Sequence, residues 1–165
     1  MAVKDSSFTK QDLHDLFRYE NGKLFWKTIN SGRRIDVEAG WLDKLGYRYI
    51  GLGRKTYRAY HLIYMMFYGY LPKLIDHIDG NPLNNQVENL REASSLQNSW
   101  NQKKRCTNTS GVKGISWSKK NSRWVARCMI NYKSHFVGSF ESIDSAEKAI
   151  KAFRVIKQGQ FARHL

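Results

Sequence analysis

The segment at residues 73–101 constrains the fold most, because it alternates short apolar runs with turn residues and then signals the start of a helix. Residues 73–78 and residues 89–92 each predict a short strand, and the polar stretch between them is typical of turns and loops. Ser94 and Gln97 have the spacing of a capping box, so a helix should begin there. The predicted order is therefore strand, loop, strand, helix.

Four polar residues of this segment can carry chemistry. Hydrolysis of a phosphodiester bond needs a base that takes a proton from water and a positive charge that stabilises the phosphate. His77 can act as a base near neutral pH. Asp76 and Asn98 offer oxygen atoms to a hard divalent cation, and so small a ligand set leaves room for water and phosphate oxygens, as Mg²⁺ prefers. The fourth residue, Asn89, begins the second predicted strand.

Other polar residues nearby have ordinary structural explanations. Turn geometry alone accounts for Asp79, Asn84 and Asn85 in a stretch rich in turn residues. His61 stands at a predicted helix start, where packing explains it without a chemical role. We therefore leave these four residues outside the predicted set of site residues.

The pattern of the segment extends beyond its four chemical residues. It contains the run Asp76-His77-Ile78-Asp79-Gly80-Asn81, then Asn85, then Glu88-Asn89-Leu90-Arg91, then Gln97-Asn98. This pattern resembles the HNH endonuclease family, and within it the phage homing-endonuclease branch. The likeness continues upstream through residues 22–27 and 60–62, so it covers about residues 20–102.

The resemblance implies a ββα-metal fold and a role for each of the four residues. Asp76 and Asn98 would bind one divalent ion, with Mg²⁺ as the first expectation and Mn²⁺ as the alternative. His77 would activate water. Asn89 would not bind the ion but would hold the loop that places the histidine. The first histidine of the family pattern is replaced here by Asp76, which keeps an oxygen ligand.

The charge of the chain indicates a nucleic-acid partner. Lys and Arg number 28 against 14 Asp and Glu, which gives a formal net charge of +14. No segment has the pattern of a basic amphipathic helix, and the longest apolar stretch is too short to span a bilayer, so a membrane partner is not expected. We expect duplex DNA. RNA is a weaker alternative, which rests on the 13% aromatic content.

A second module is predicted after a basic linker at residues 102–112. Residues 106–165 hold 11 Lys and Arg against 3 Asp and Glu, a denser positive charge than the rest of the chain. Runs at residues 113–117, 123–131 and 134–139 predict three strands. A capping box that begins at Asp144 predicts one helix behind them.

The second module resembles the AP2 DNA-binding domain. The likeness rests on Gly111-Val112-Lys113-Gly114-Ile115, Arg123-Trp124-Val125-Ala126-Arg127, Val137-Gly138-Ser139-Phe140 and Ala146-Glu147-Lys148-Ala149. It implies a three-stranded antiparallel sheet in the major groove with one helix packed behind it. The candidate DNA contacts, including those of the linker, are Lys103, Lys104, Arg105, Lys113, Trp117, Arg123, Trp124 and Arg127. The tryptophans could equally be core residues of a small sheet, and the linker cations a solvated charge run.

These observations predict an α+β chain with an HNH nuclease domain at residues 1–101, a linker at 102–112 and an AP2-like domain at 113–165. The predicted function is a site-specific, metal-dependent DNA endonuclease of the homing type that nicks or cuts both strands, the latter by a homodimer or a second event. The alternative is a regulatory DNA-binding protein whose nuclease centre is inert. Two cysteines and no CxxC pair argue against a structural zinc site and a disulfide framework. The polar N-terminus predicts a cytoplasmic protein, in the bacterial host cell if the gene is a phage gene, rather than a secreted one.

Overall fold

The protein is a mixed α+β chain of two compact units, Met1–Ala93 and Ser94–Leu165. The computed structural model describes residues 8–29, 33–102, 104 and 106–163. The first unit ends at Ala93, so the helix that begins at Ser95 belongs to the second unit, whereas we predicted the joint at residues 102–112. No helix of the described residues is long and apolar enough to cross a membrane.

In its described residues, the first unit combines two α-helices with three small antiparallel sheets. Its sheets pair β1 with β2, β3 with β4 and β5, and β6 with β7. The elements are α1 (Lys10–Leu16), β1 (Phe17–Glu20), β2 (Lys23–Trp26), β3 (Trp41–Leu42), β4 (Arg48–Leu52), β5 (Lys55–Arg58), α2 (Ala59–Tyr68), β6 (Ile75–His77) and β7 (Leu90–Glu92).

Local signals in the sequence set several of these boundaries. Thr9 caps α1 through a complete capping box with Asp12. Asn21 and Gly22 have φ values of 46° and 81°, the left-handed pair that a two-residue hairpin turn needs. Gly69, with a φ of 77°, ends α2. These residues therefore mark the start of α1, the turn between β1 and β2, and the end of α2.

One hydrophobic core anchors the β6–β7 hairpin. Helix α2 buries most of its length, and Ile63 at its centre is fully buried. Ile75 from β6 and Leu90 from β7 enter the same core. Burial of apolar side chains of this size contributes about 1.5–3 kcal/mol each. Packing against this core therefore holds the hairpin, and the hairpin in turn positions its polar residues.

The second unit contains a short helix, a three-stranded antiparallel sheet in the order β10-β9-β8, and one long helix. A small core joins the long helix to the sheet through Ile115, Ala126, Ala146 and Ile150. The elements are α3 (Ser95–Trp100), β8 (Ile115–Ser118), β9 (Arg123–Ile130), β10 (Lys133–Phe140) and α4 (Ile143–Gln158).

The start predicted for the long helix was wrong. The N-cap of α4 is Ser142, whose hydroxyl accepts a hydrogen bond from the backbone N–H of Ser145. The helix therefore begins before Asp144. This aspartate lies in the first turn, where its negative charge favours the helix through the helix dipole rather than through a cap.

Candidate active site

The β6–β7 hairpin places Asp76 opposite Arg91 in the strand register. The Nε and Nη2 groups of Arg91 donate to Oδ2 of Asp76 at 2.9 and 2.8 Å. Both side chains are largely buried, with 12% of the Arg91 side chain and 6% of the Asp76 side chain exposed. A buried charge of this kind needs a partner, and Arg91 provides one that also fixes the orientation of the carboxylate.

His77, the next residue on β6, is fixed by two further contacts. Its Nε2 lies 2.9 Å from Oδ1 of Asn85, a residue that is only 4% exposed. Its ring meets the ring of Tyr60 edge-on, with 5.0 Å between the centroids. Because an amide oxygen only accepts, Nε2 is the donor in this contact, and the contact fixes the orientation of the ring.

Asn89 connects the second strand to the loop after His77. Its Oδ1 accepts from the backbone N–H of Asp79 at 3.0 Å, and its Nδ2 donates to Asp79 Oδ1 at 3.0 Å and to the backbone oxygen of Asn84 at 2.8 Å. Its own backbone oxygen accepts from Ile78 at 2.8 Å. These contacts suit the loop-holding role that we expect for Asn89.

Asp79 also holds that loop through hydrogen bonds. Its carboxylate accepts hydrogen bonds from the backbone of Asn81 and from the side chains of Asn84 and Asn89. Partial burial alone would raise the pKa of Asp79, but these hydrogen bonds together lower it below the ordinary value. The loop is therefore a closed network that depends on an ionised carboxylate.

Asn98 lies on α3, in the second unit, and is half-buried. The helix starts as predicted, because Ser94 Oγ accepts from the backbone of Gln97 at 3.2 Å and Gln97 Oε1 accepts from the backbone of Ser94 at 2.8 Å. The approach of the Asn98 amide to Asp76 stays a prediction.

The donor chemistry fits a hard divalent ion. The predicted ligands are one oriented carboxylate, that of Asp76, and one amide oxygen, that of Asn98. Oxygen ligands of this kind suit Mg²⁺, which keeps several waters when it binds to proteins. Among the described residues, no group of three or more His, Cys, Asp and Glu side chains could hold a metal ion, so the fit rests on this smaller set.

Tyr60 brings a second histidine close to the first. The ring of His61 lies 4.4 Å from the ring of Tyr60, which in turn contacts His77. Burial, and then the charge of Arg58, lowers the pKa of His61 to about 4. Hydrogen bonds to the hydroxyls of Tyr49 and Tyr60 hold that arginine in place. His61 is therefore neutral at physiological pH.

The low pKa of His61 predicts a pH-dependent loss of stability. The pKa is about 4 in the folded chain and near 6.5 when unfolded, so below pH 6.5 the unfolded chain binds more protons. The free energy of unfolding should fall as the pH drops from about 6.5 towards 4, and His61→Gln should remove that part of the loss. Urea denaturation of the wild type and of His61→Gln at pH 7 and at pH 4.5 measures how much the free energy of unfolding of each protein falls between these two pH values. An equal fall in the free energy of unfolding for the two proteins would contradict the low pKa of His61.

The predicted DNA contacts occupy different environments in the second unit. Arg123 and Arg127 are exposed on β9, and Arg123 also pairs with Glu141 at 2.8 Å. Trp124 packs against the small core and meets Trp117 edge-on at 5.1 Å, which favours the core interpretation for Trp124.

The linker cations and Lys113 differ from these arginines. Lys104 is exposed, and its amino group donates to the backbone oxygen of Gly111 at 2.7 Å. Lys113 instead points its amino group at backbone oxygens of its own unit. Lys103 and Arg105 lie outside the described residues.

Sequence reasoning missed two residues that contact Asp76 and His77. Asn85 was explained as a turn residue, although it is buried against His77. Arg91 was quoted only as part of a motif, although it pairs with Asp76. The signal for Arg91 was available, because pairing the two predicted strands places it opposite Asp76.

Comparisons with known proteins found a matching family profile and related phage and prophage proteins. A family profile described as HNH endonuclease matches residues 57–100, which include β6, β7 and α3. "Protein 3.8" of Escherichia phage T7 is 46% identical over 99 residues, which are 58% of this chain and 79% of that protein. "SPbeta prophage-derived putative HNH homing endonuclease YosQ" of Bacillus subtilis (strain 168) is 30% identical over 81 residues, which are 48% of this chain and 47% of that protein. No solved structure matches the chain.

Proposed function

The chain belongs to the HNH endonuclease family, and from this we propose that it is a metal-dependent DNA endonuclease that hydrolyses phosphodiester bonds with His77 as the general base. One observation carries the proposal. Asp76 and His77 are adjacent on a buried strand, and each is held by a separate buried partner, Arg91 and Asn85. Orientation of this kind is what a preorganised hydrolytic site requires.

Each residue of the proposed site has one task. His77 donates a hydrogen bond from Nε2 to Asn85 and acts as the base that takes the proton of the attacking water. Asn89 holds the loop after the histidine. Asp76 and Asn98 would hold one divalent ion, Mg²⁺ first and Mn²⁺ as the alternative. When bound, that ion neutralises the charge that develops on the phosphate.

Duplex DNA is the proposed substrate, and the second module is proposed to select the site. The net charge of +14 favours phosphate contacts. The exposed arginines of β9, Arg123 and Arg127, are four residues apart and so point to the same side of the strand. An arginine side chain can recognise guanine through two hydrogen bonds. The AP2-like assignment rests on sequence likeness and on the arrangement of one helix behind three strands. The phage and prophage relatives support action in a bacterial cell and a homing role.

Incubation of the chain with phage and host genomic DNA tests the proposal. We expect strand breaks at a small number of mapped positions with Mg²⁺, and no breaks when a chelator is present. Full cleavage with the chelator present would contradict metal dependence. DNA binding without any cleavage would favour the alternative, a regulatory protein with an inert centre. Breaks in one strand only would indicate that a duplex cut needs a second copy or a second event.

A further inference from the structure

The C-terminal end of α3 is held by two cationic side chains of the second unit. The last carbonyl groups of a helix have no partner within it. Lys113 donates from Nζ to the backbone oxygens of Trp100 and Gln102 at 2.8 and 2.6 Å. Arg163 donates from Nη1 to the backbone oxygen of Asn101 at 3.1 Å. Three consecutive carbonyls after Asn98 are therefore bound by the second module.

Lys113 is itself fixed to the sheet and to the long helix. Arg154, on α4 and only 3% exposed, donates from Nη2 to the backbone oxygen of Lys113 at 2.6 Å. The next residue, Gly114, has a φ of 78° and accepts from the backbone N–H of Arg127 at 2.8 Å. A Cβ at Gly114 would lie 2.5 Å from the Arg127 oxygen, so the chain passes too close to β9 for any other residue. The amino group of Lys113 thus extends from a rigid position.

The electrostatic setting of Lys113 differs from that of a surface lysine. Burial, and then the charges of Arg154 and Arg163, lowers the pKa of Lys113 to about 8. A lysine that only gripped DNA phosphate would keep its amino group in water. Holding this amino group against two carbonyls has a desolvation cost, and those carbonyls stabilise it in return.

We propose that Lys113 and Arg163 are positioning residues, which hold α3 so that the Asn98 amide is presented to the metal ion. This inference rests on the proposed function, in which Asn98 binds the ion. The helix has only six residues, so a fixed C-terminal end limits the movement of Asn98, which lies within one turn of that end.

Substitution of Lys113 in the full-length chain tests the proposal. Lys113→Met removes the amino group but keeps most of the stem, and Lys120→Met makes the same charge change at an exposed turn position. Three readouts are needed: hydrogen exchange of amides 98–102, the Mg²⁺ concentration that gives half-maximal cleavage, and the DNA affinity in a gel shift. We expect Lys113→Met to speed exchange at 98–102 and to raise the half-maximal Mg²⁺ concentration by about 10–100-fold. The DNA affinity of Lys113→Met should stay within about twofold of the DNA affinity of Lys120→Met, because Lys120→Met removes one positive charge from the surface.

Two further variants keep the test decisive. Lys113→Arg retains a cationic donor and should recover most of the Mg²⁺ response, which a simple packing role would not explain. Arg163→Met removes the second donor without touching the sheet, and should act in the same direction if Lys113→Met fails to fold. Wild-type exchange at 98–102 and a wild-type Mg²⁺ response in both methionine variants would overturn the proposal. If the wild-type protein does not cut DNA, both the nuclease assignment and the proposed metal role of Asn98 are wrong. The hydrogen-exchange rates would still show whether Lys113 holds α3.

Discussion

His77→Ala is expected to lower the rate of strand cleavage by about 10²–10⁴-fold, the usual contribution of a positioned general base. The loss should appear in the cleavage step and not in DNA affinity, because His77 is only 7% exposed and the proposed DNA-reading residues lie on the sheet of the second unit. A plasmid nicking assay with Mg²⁺ measures the rate, and a gel shift without metal measures binding.

A second histidine provides the control for this substitution. His135 is exposed on β10, so His135→Ala removes the same group from a surface position and should leave the cleavage rate within about twofold of wild type. Thermal unfolding of both variants checks that His77→Ala has not simply lost the β6 packing against Tyr60. A folded His77→Ala protein that cleaves at the wild-type rate would rule out the general-base role.

Local chemistry made much of the fold predictable. The capping box of Ser94 and Gln97 predicted the start of α3, and the structure confirms it. The strands β1 and β3 were not predicted, because β1 follows α1 without a turn residue and β3 has only two residues. The predicted start of α4 was wrong for a local reason. The spacing of Asp144 and Glu147 suggested Asp144 as the N-cap, whereas the N-cap in the structure is Ser142.

Contacts between distant residues were harder to predict than residue types. The sequence pattern identified Asp76, His77 and Asn89 as candidates, and the structure brings them onto one hairpin with its loop. It could not tell that Asn85 is buried against the histidine, because a turn residue and a buried amide look alike in a sequence. It also treated Lys113 as one more basic residue, although burial beside backbone carbonyls gives this lysine a different environment.

Asp76→Ala is expected to abolish Mg²⁺-dependent cleavage and also to destabilise the first unit, for two separable reasons. The carboxylate is the proposed metal ligand, and it is also the buried partner of Arg91. Removing one member of a buried ion pair leaves the other charge without that partner, which typically lowers the free energy of unfolding by about 3–5 kcal/mol. Loss of activity in this variant alone would therefore not distinguish a missing ligand from a damaged hairpin.

The double variant Asp76→Ala/Arg91→Met separates the two effects. Because it also removes the buried guanidinium that loses its contact with Asp76, it should recover most of the lost free energy of unfolding in urea denaturation, while cleavage stays absent. Asp36→Ala is the matched control, since the Arg34–Asp36 pair has a similar length of 2.7 Å but is mostly exposed and should change stability by less than about 1 kcal/mol. A double variant that regains cleavage would exclude Asp76 as a metal ligand. One that stays as unstable as Asp76→Ala would mean that the carboxylate stabilises the hairpin through contacts other than Arg91.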